Sequence, residues 1–144
     1  MYQAAVIYAP ASPEMGALAD SIAQKLKERK LKVSRKEAAQ AIVPDLTAAD
    51  LLVLGSGPGA TAPIHEDFAE ILRALQGISL AGRTIGVFAV QSPNALAAFE
   101  KALSDCDVPL PARHLVSLSG AKASDSELGP WLSSLVEQLE RRGA

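Results

Sequence analysis

The fold of this chain is decided by the stretch Ala4-Ala5-Val6-Ile7-Tyr8-Ala9-Pro10-Ala11-Ser12-Pro13-Glu14-Met15-Gly16-Ala17-Leu18. Its first five residues form an unbroken apolar run, which is typical of a strand buried on both faces of a parallel sheet. After the loop, apolar residues recur at helical spacing from Met15 to Leu26. A strand, a short loop and a helix in this order predict the first βα unit of an α/β protein.

The same alternation continues along the rest of the chain. We predict strands over residues 4–8, 31–37, 51–54, 84–90 and 115–118, and helices over residues 16–30, 66–75, 94–106 and 128–142. The second strand alternates apolar and polar residues, as an edge strand does, whereas residues 51–54 and 85–90 are typical of strands buried on both sides. Right-handed crossovers between such units give one parallel sheet with helices on both faces. We therefore predict a single α/β domain over residues 1–144, a three-layer doubly wound five-stranded sheet with strand order 2-1-3-4-5.

Composition and charge exclude several classes of function. The formal net charge is -2, and Lys and Arg are interspersed with Asp and Glu, so neither nucleic acid nor an anionic membrane is expected as a partner. No apolar stretch approaches the roughly 18 residues of a membrane span, and no signal-peptide pattern begins the chain, which predicts a cytoplasmic protein. Cys106 stands alone, and His65 and His114 are far apart, so we expect no disulfide, no metal site and no catalytic residues.

The place to look for a ligand follows from the predicted topology. In a doubly wound sheet, ligands bind beyond the carboxyl ends of the strands, where the crossover direction reverses. Three predicted loops meet there, after the first, third and fourth strands. Their candidate binding residues are Ser12, Pro13, Glu14, Met15, Gly16 and Ala17 in the first loop, Ser56, Gly57, Pro58, Gly59, Ala60 and Thr61 in the second, and Gln91, Ser92, Pro93 and Asn94 in the third.

Several segments resemble the flavodoxin-like family. They are Leu18-Ala19-Asp20-Ser21-Ile22-Ala23, Ala49-Asp50-Leu51-Leu52-Val53-Leu54-Gly55-Ser56, Phe68-Ala69-Glu70-Ile71-Leu72 and Leu80-Ala81-Gly82-Arg83-Thr84-Ile85-Gly86-Val87-Phe88. The resemblance extends over nearly the whole chain, whose length is similar to that of short-chain flavodoxins. It implies non-covalent FMN, one-electron transfer and a redox partner protein. The first loop would then hold the phosphate, and the second and third loops the isoalloxazine ring.

The first loop departs from the pattern of that family, which is Ser/Thr-x-Thr-Gly-x-Thr. Pro13 stands where glycine is expected and Met15 where the last threonine is expected, so one N–H donor and one hydroxyl are lost. Glu14 brings a carboxylate toward the position of the phosphate. Each lost charge-assisted hydrogen bond weakens phosphate binding by about 1.5–3 kcal/mol.

The other two loops depart from the family as well. Residues 55–65 and 90–98 contain no Phe, Tyr or Trp that could stack on a flavin ring. Such stacking contributes about 0.5–1.5 kcal/mol beyond the burial of area. The near-neutral charge also differs from the acidic surface that flavodoxins present to their redox partners.

Several of these features have a purely structural interpretation. Ser12 and Pro13 are typical of the N-cap and first position of a helix. The glycines between residues 55 and 59 serve equally as a ligand loop or as an ordinary turn. His65, which precedes two acidic residues, is typical of the start of a surface helix, and Cys106 of a small buried apolar residue.

Two functions of different classes remain open. The first is an FMN-binding electron-transfer flavoprotein with a weakened phosphate loop, in which the Ser12 hydroxyl and the N–H groups of Met15, Gly16 and Ala17 hold the phosphate. The alternative is a flavin-free module of the same fold that acts through protein contacts, a homodimer among them, or through another small ligand. Both hypotheses make the chain an electron carrier or a binding module rather than a catalyst.

Overall fold

The computed structural model describes residues 2–120 and 125–143, and within them every predicted strand and helix is present. The strands are β1 (Gln3–Ala9), β2 (Lys32–Glu37), β3 (Leu51–Ser56), β4 (Thr84–Val90) and β5 (Leu115–Leu118). The α-helices are α1 (Pro13–Glu28), α2 (Val43–Thr47), α3 (Ala69–Leu75), α4 (Asn94–Leu103) and α5 (Asp125–Gly143). Single turns of 3-10 helix cover Ala38–Gln40, Glu66–Phe68 and Ala112–His114. Helix α2 was not predicted, because five residues are too few to show a helical period.

The five strands form one parallel sheet in the order β2-β1-β3-β4-β5, which confirms the predicted topology. Helices α1 and α5 pack on one face of the sheet. Leu46 of α2 packs on the other face, together with α3 and α4. The crossover direction reverses between β1 and β3, so the carboxyl ends of these two strands border the crevice in which such sheets bind ligands.

Two glycines in the strands are required by close packing rather than by loop flexibility. A Cβ atom on Gly55 would lie 1.8 Å from the ring of Phe88, and one on Gly86 would lie 2.5 Å from the side chain of Leu135. Gly55 and Ser56 belong to β3, which is two residues longer than predicted. The second loop therefore begins at Gly57.

Helix α1 starts three residues earlier than its apolar period alone predicted. Ser12 has an extended backbone and caps the helix, and Pro13 occupies the first helical position. This arrangement confirms the helix-start interpretation of the first loop. Helix α4 ends at Leu103, so Cys106 lies in the turn that follows it.

Strand β2 forms one edge of the sheet and lies in a segment of the chain that is rich in Lys and Arg. Seven of the 14 Lys and Arg residues lie between Lys25 and Lys36, so the cations are less evenly spread than an interspersed pattern implies. Lys32 and Lys36 are exposed on the strand, where lysine discourages edge-to-edge pairing with other chains. Among the described residues, no helix combines the length and apolar character needed to cross a bilayer.

Candidate functional site

The three predicted loops meet in one cleft at the carboxyl ends of β1, β3 and β4. The N–H of Gly57 donates to the carbonyl of Ala9 (2.8 Å), and the Ser92 hydroxyl donates to the carbonyl of Pro63 (2.8 Å), so the second loop is tied to the end of β1 and to the third loop. The cleft has a volume of about 280 Å³ and is lined by Pro10, Ser12, Glu14, Met15, Gly57, Pro58, Val90 and Gln91. Six of the 16 predicted binding residues therefore line it.

The first loop uses its hydroxyl to start α1. The Ser12 Oγ accepts a hydrogen bond from the N–H of Met15 (3.2 Å), and the Ser12 carbonyl accepts one from Gly16 (2.9 Å). Two of the N–H groups predicted to hold a phosphate are thus bonded inside the helix start. The Ser12 hydroxyl proton is still able to donate to a ligand.

Other donors remain at this helix start. Within the described residues, the N–H groups of Ala11, Ser12 and Glu14 have no acceptor. They lie at the amino end of a 16-residue helix, where the helix dipole favours an anion. Backbone donors for an anion are therefore present, at positions other than those expected from the sequence.

The side chains of the first loop divide between solvent and core. Glu14 is exposed at the cleft and places a carboxylate beside these N–H groups. Met15 is only 4% exposed and packs into the core formed by α1, α5 and the sheet. Pro13 and Ala17 are exposed on the first turns of the helix. The carboxylate disfavours an anion that the backbone would otherwise attract.

The second loop is closed by its own hydrogen bonds. Ser56 is fully buried, and its hydroxyl donates to the Gly57 carbonyl (2.6 Å) and accepts from the N–H of His65 (2.8 Å). The N–H of Gly59 donates to the carbonyl of Ala62 (3.1 Å). A Cβ atom on Gly59 would lie 2.6 Å from that same carbonyl oxygen, so the turn requires glycine.

Glu66 and His65 complete this closure. One oxygen of Glu66 accepts a hydrogen bond from the N–H of Ala60 (3.1 Å), and this bond lowers the pKa of the Glu66 carboxyl. Nδ1 of His65 accepts from the N–H of Asp67 (3.1 Å), which caps the 3-10 turn and agrees with the helix-start interpretation of this histidine. Pro58 and Thr61 are left exposed for contact with a ligand.

The third loop is short and leads directly into α4, whose first residue is Asn94. Gln91 has a left-handed backbone (φ 55°), and its N–H donates to the carbonyl of Leu118 (2.9 Å). Ser92 is buried, whereas Pro93 and Asn94 are exposed where α4 begins. The exposed Gln91 side chain is therefore the main polar group that this loop brings to the cleft.

An arginine close to the first loop was not predicted from the sequence. Arg35 of β2 donates to the hydroxyl of Tyr8 (2.6 Å), forms an ion pair with Asp20 (2.6 Å) and lies over the Tyr8 ring at 5.6 Å. A Cβ atom on Gly16 would be 3.6 Å from the Tyr8 hydroxyl and 3.9 Å from the guanidinium, so this group lies beside the first turn of α1. The pairing joins residues 27 positions apart, which no local pattern reveals.

Cys106 lies in the core on the sheet face that carries α3 and α4. The Cys106 thiol is fully buried and donates to the carbonyl of Leu75 (3.2 Å). Burial, followed by the charges of Asp105 and Asp107, raises the pKa of this thiol, which agrees with the interpretation of a small apolar residue. In the part of the chain that the structure describes, no three His, Cys, Asp or Glu residues are grouped as a metal site.

Comparison of the structure with solved structures gives many similar proteins. One is a short-chain flavodoxin associated with a non-canonical PDU bacterial microcompartment (TM-score 0.85, 21% identity, 96% of this chain and 99% of that one). Another is oxidised flavodoxin 2 from Bacillus cereus (TM-score 0.79, 20% identity, 96% and 99%). A third is a Fusobacterium nucleatum flavodoxin bound to flavin mononucleotide (TM-score 0.77, 11% identity, 96% and 99%).

No family model and no curated protein matches the sequence. The likeness to the solved structures extends over nearly the whole chain at low identity, and it shows that the chain has the flavodoxin-like fold. The fold expected from the sequence is therefore confirmed.

Proposed function

We propose that this chain is an electron-transfer flavoprotein that binds FMN weakly in the three-loop cleft. The observation that carries the proposal is the set of three N–H groups, on Ala11, Ser12 and Glu14, that have no acceptor among the described residues. They lie at a helix start in the crevice where this type of sheet binds ligands. The flavodoxins of similar structure include one that is bound to FMN.

The first loop fits a phosphate in part. The three N–H groups and the Ser12 hydroxyl proton are donors for it, and the dipole of α1 adds to their attraction. Pro13 provides no N–H donor, and the carboxylate of Glu14 repels the phosphate. We therefore expect the phosphate to add little affinity beyond that of the flavin ring and its ribityl chain.

The isoalloxazine ring of FMN would contact the exposed parts of the second and third loops. Pro58 and Gln91 line the cleft. Thr61 is exposed and lies three residues after Pro58 in the second loop. The N–H groups of Gly57 and Gly59 are bonded to protein carbonyls, so the ring would find mainly side-chain contacts here. Bound FMN would supply one-electron chemistry, and the protein would position it and limit its contact with water.

The experiment compares FMN with riboflavin, which lacks the phosphate, in fluorescence titrations of the purified protein. We expect the wild type to bind both flavins in the micromolar range with affinities that differ by less than about tenfold, because the phosphate adds little. The variant Pro13→Gly/Glu14→Gln restores an N–H and removes the carboxylate. Its FMN affinity should rise by at least about tenfold, or about 1.4 kcal/mol, while its riboflavin affinity stays unchanged.

The controls separate local from general charge effects. Glu28→Gln removes one negative charge from the far end of α1 and should change neither affinity. Glu14→Gln alone retains Pro13 and tests the carboxylate without altering the helix start. Met15 is kept in every variant, because a buried core residue cannot be exchanged for threonine without loss of stability. If FMN binds, transfer of electrons from the reduced protein to cytochrome c is then followed by absorbance.

The flavin-free module is the second candidate, and a specific observation favours it. The N–H groups of Gly57, Gly59, Ala60 and Gln91 are all bonded within the protein, and none of the residues that line the cleft is aromatic. Such a cleft would suit a protein partner, a second copy included, or a ligand without a flavin ring. Absence of saturable binding of either flavin, in the wild type and in the double variant, would overturn the flavin proposal in favour of this one.

A further inference from the structure

A groove between α2 and α3 lies on the sheet face that also carries α4. It has a volume of about 480 Å³. The buried Leu46 and Ile71 close its base, together with the half-buried Ala41 and Ala74. None of the residues that line this groove lines the three-loop cleft, so the groove is separate from the proposed flavin site.

The wall of the groove on the side of α2 is formed by two exposed apolar residues. Ile42 is 59% exposed and Val43 is 44% exposed, and no other large apolar side chain in the described part of the chain is exposed. Single apolar residues on a surface are common, but two adjacent ones beside an apolar groove form a continuous patch. Such a patch indicates contact with another molecule.

Ile42 also occupies a position where an apolar residue does not help the helix. It is the N-cap of α2, and its side chain makes no capping hydrogen bond. Ser, Thr, Asp and Asn are preferred at an N-cap because their side chains accept a hydrogen bond from the first turn. The isoleucine therefore neither caps α2 nor packs in the core, and a contact outside the chain accounts for its presence.

Helix α2 is held in place by polar contacts on its other sides. The Asp45 carboxylate accepts a hydrogen bond from the N–H of Ile42 (2.8 Å) and forms an ion pair with Lys36 of β2 (2.8 Å). The Arg83 guanidinium donates to the carbonyl of Thr47 at the other end of the helix. The apolar wall is thus fixed before any contact forms, which lowers the entropy cost of association.

The wall on the side of α3 is charged, and its two charges have opposite sign. Glu70 and Arg73 are 78% and 73% exposed and form an ion pair with each other (3.1 Å). A second copy of the chain, rotated about a two-fold axis that crosses the groove, would place Glu70 of each copy opposite Arg73 of the other. A partner segment of a single sign would be repelled by one of these two residues.

The same rotation pairs the apolar walls. Helix α2 of one copy would lie over α2 of the other, so that Ile42 and Val43 pack against the same residues of the second copy. An axis that runs along the groove would instead place each apolar wall against the charged wall. The chemistry of the two walls therefore favours the axis that crosses the groove, for which both walls are self-complementary.

We propose that two copies of this chain form a weak dimer through the groove between α2 and α3. Each copy contributes two exposed apolar side chains and one ion pair. This patch is small beside the roughly 800 Å² that each partner buries in a standard interface, so we expect a dissociation constant of roughly 10–500 µM. The exposed edge strand β2 is not the contact, because Lys32 and Lys36 discourage pairing between strands.

The first test is sedimentation equilibrium of the full chain without added flavin, so the outcome does not depend on flavin binding. The wild type should show a concentration-dependent dimer. Ile42→Thr removes the apolar contact and supplies a capping hydroxyl, so it should raise the dissociation constant at least about tenfold without lowering the temperature of unfolding. Val108→Thr changes a half-buried valine outside the groove and should leave the dissociation constant unchanged.

A pair of charge reversals tests whether the second molecule is another copy. Glu70→Lys and Arg73→Glu each place like charges opposite one another across the axis, so each variant alone should dimerise about threefold to tenfold more weakly. In an equimolar mixture of the two variants, both contacts again join opposite charges, and association should return to the wild-type level.

Three results would overturn the proposal. The first is a wild type that stays monomeric at millimolar concentration. The second is an unchanged dissociation constant in Ile42→Thr, which would place the contact on another surface. The third is a mixture of the two charge variants that associates no better than either variant alone.

Discussion

The two ends of the parallel sheet differ in how their hydroxyl groups are used. At the carboxyl ends of β1, β3 and β4, Ser12, Ser56 and Ser92 each have a backbone partner. At the amino end of β4, the Thr84 hydroxyl has none within the described residues. The three serines at the end that was expected to bind a ligand thus have partners within the protein, whereas the Thr84 hydroxyl at the other end does not.

This difference shows that residue type alone is weak evidence for a binding site. Serine and glycine in the predicted loops serve mainly to cap helices and close turns. The groups at that end that are still able to bind a ligand are the backbone N–H groups of Ala11, Ser12 and Glu14. Whether each donor and acceptor already has a partner is therefore stronger evidence for a binding site than the types of residue present.

The largest loss of stability is expected when a methyl group is added to a closely packed glycine, and the loss should differ between Gly55 and Gly86. Gly55→Ala forces a methyl group to 1.8 Å from the ring of Phe88, a fully buried residue, and should lower the free energy of unfolding by about 3 kcal/mol. Gly86→Ala contacts the terminal methyl groups of Leu135, which can rotate, and should cost about 1–2 kcal/mol. Urea denaturation measures both. Equal losses would mean that the two ends tolerate added volume alike.

A smaller loss is expected when the satisfied hydroxyl at the carboxyl end is removed. Ser12→Ala deletes the cap on the N–H of Met15 and should lower the free energy of unfolding by about 1 kcal/mol. Ser34→Ala, at an exposed position of β2, is the matched control and should stay within about 0.5 kcal/mol of the wild type. A Ser12 variant as stable as the control would show that the cap does not stabilise α1.

The smallest effect has the opposite sign and concerns the amino end. Thr84→Val replaces a buried hydroxyl that has no partner with a methyl group of the same shape, and should raise the free energy of unfolding by about 0.5–1 kcal/mol. Thr47→Val removes a hydroxyl that donates to the Val43 carbonyl near the surface and should gain nothing. A loss of stability in the Thr84 variant, measured by thermal unfolding, would contradict the contrast between the two ends.

The fold was predictable because its signals are local. Strands β3 and β4 each contain an apolar run, over residues 51–54 and 85–90, and the helix faces repeat at a regular period, so element order and sheet topology followed from pattern alone. The same topology predicted that the three loops would meet, and they do.

The detail of the site was not predictable, because it depends on contacts between distant positions. The partners of Ser56 and Tyr8 lie nine and 27 residues away, and no local spacing encodes either pair. Pro13 and Ser12 were ambiguous in the sequence, since a helix cap and a phosphate loop use the same residue types. Thr84 appeared only as the first residue of a strand, and its burial beside a cavity depends on α5, which lies more than 40 residues further along the chain.

The buried position of Cys106 has a practical consequence for labelling this molecule at a chosen residue. Its thiol is the single cysteine of the chain, is fully covered, and has a raised pKa, so in the folded state it should react slowly with maleimides. A cysteine introduced at the exposed Asn94, beside the cleft, could then be labelled selectively without first removing the native one. A fluorophore at that position would report on occupancy of the three-loop cleft by a ligand.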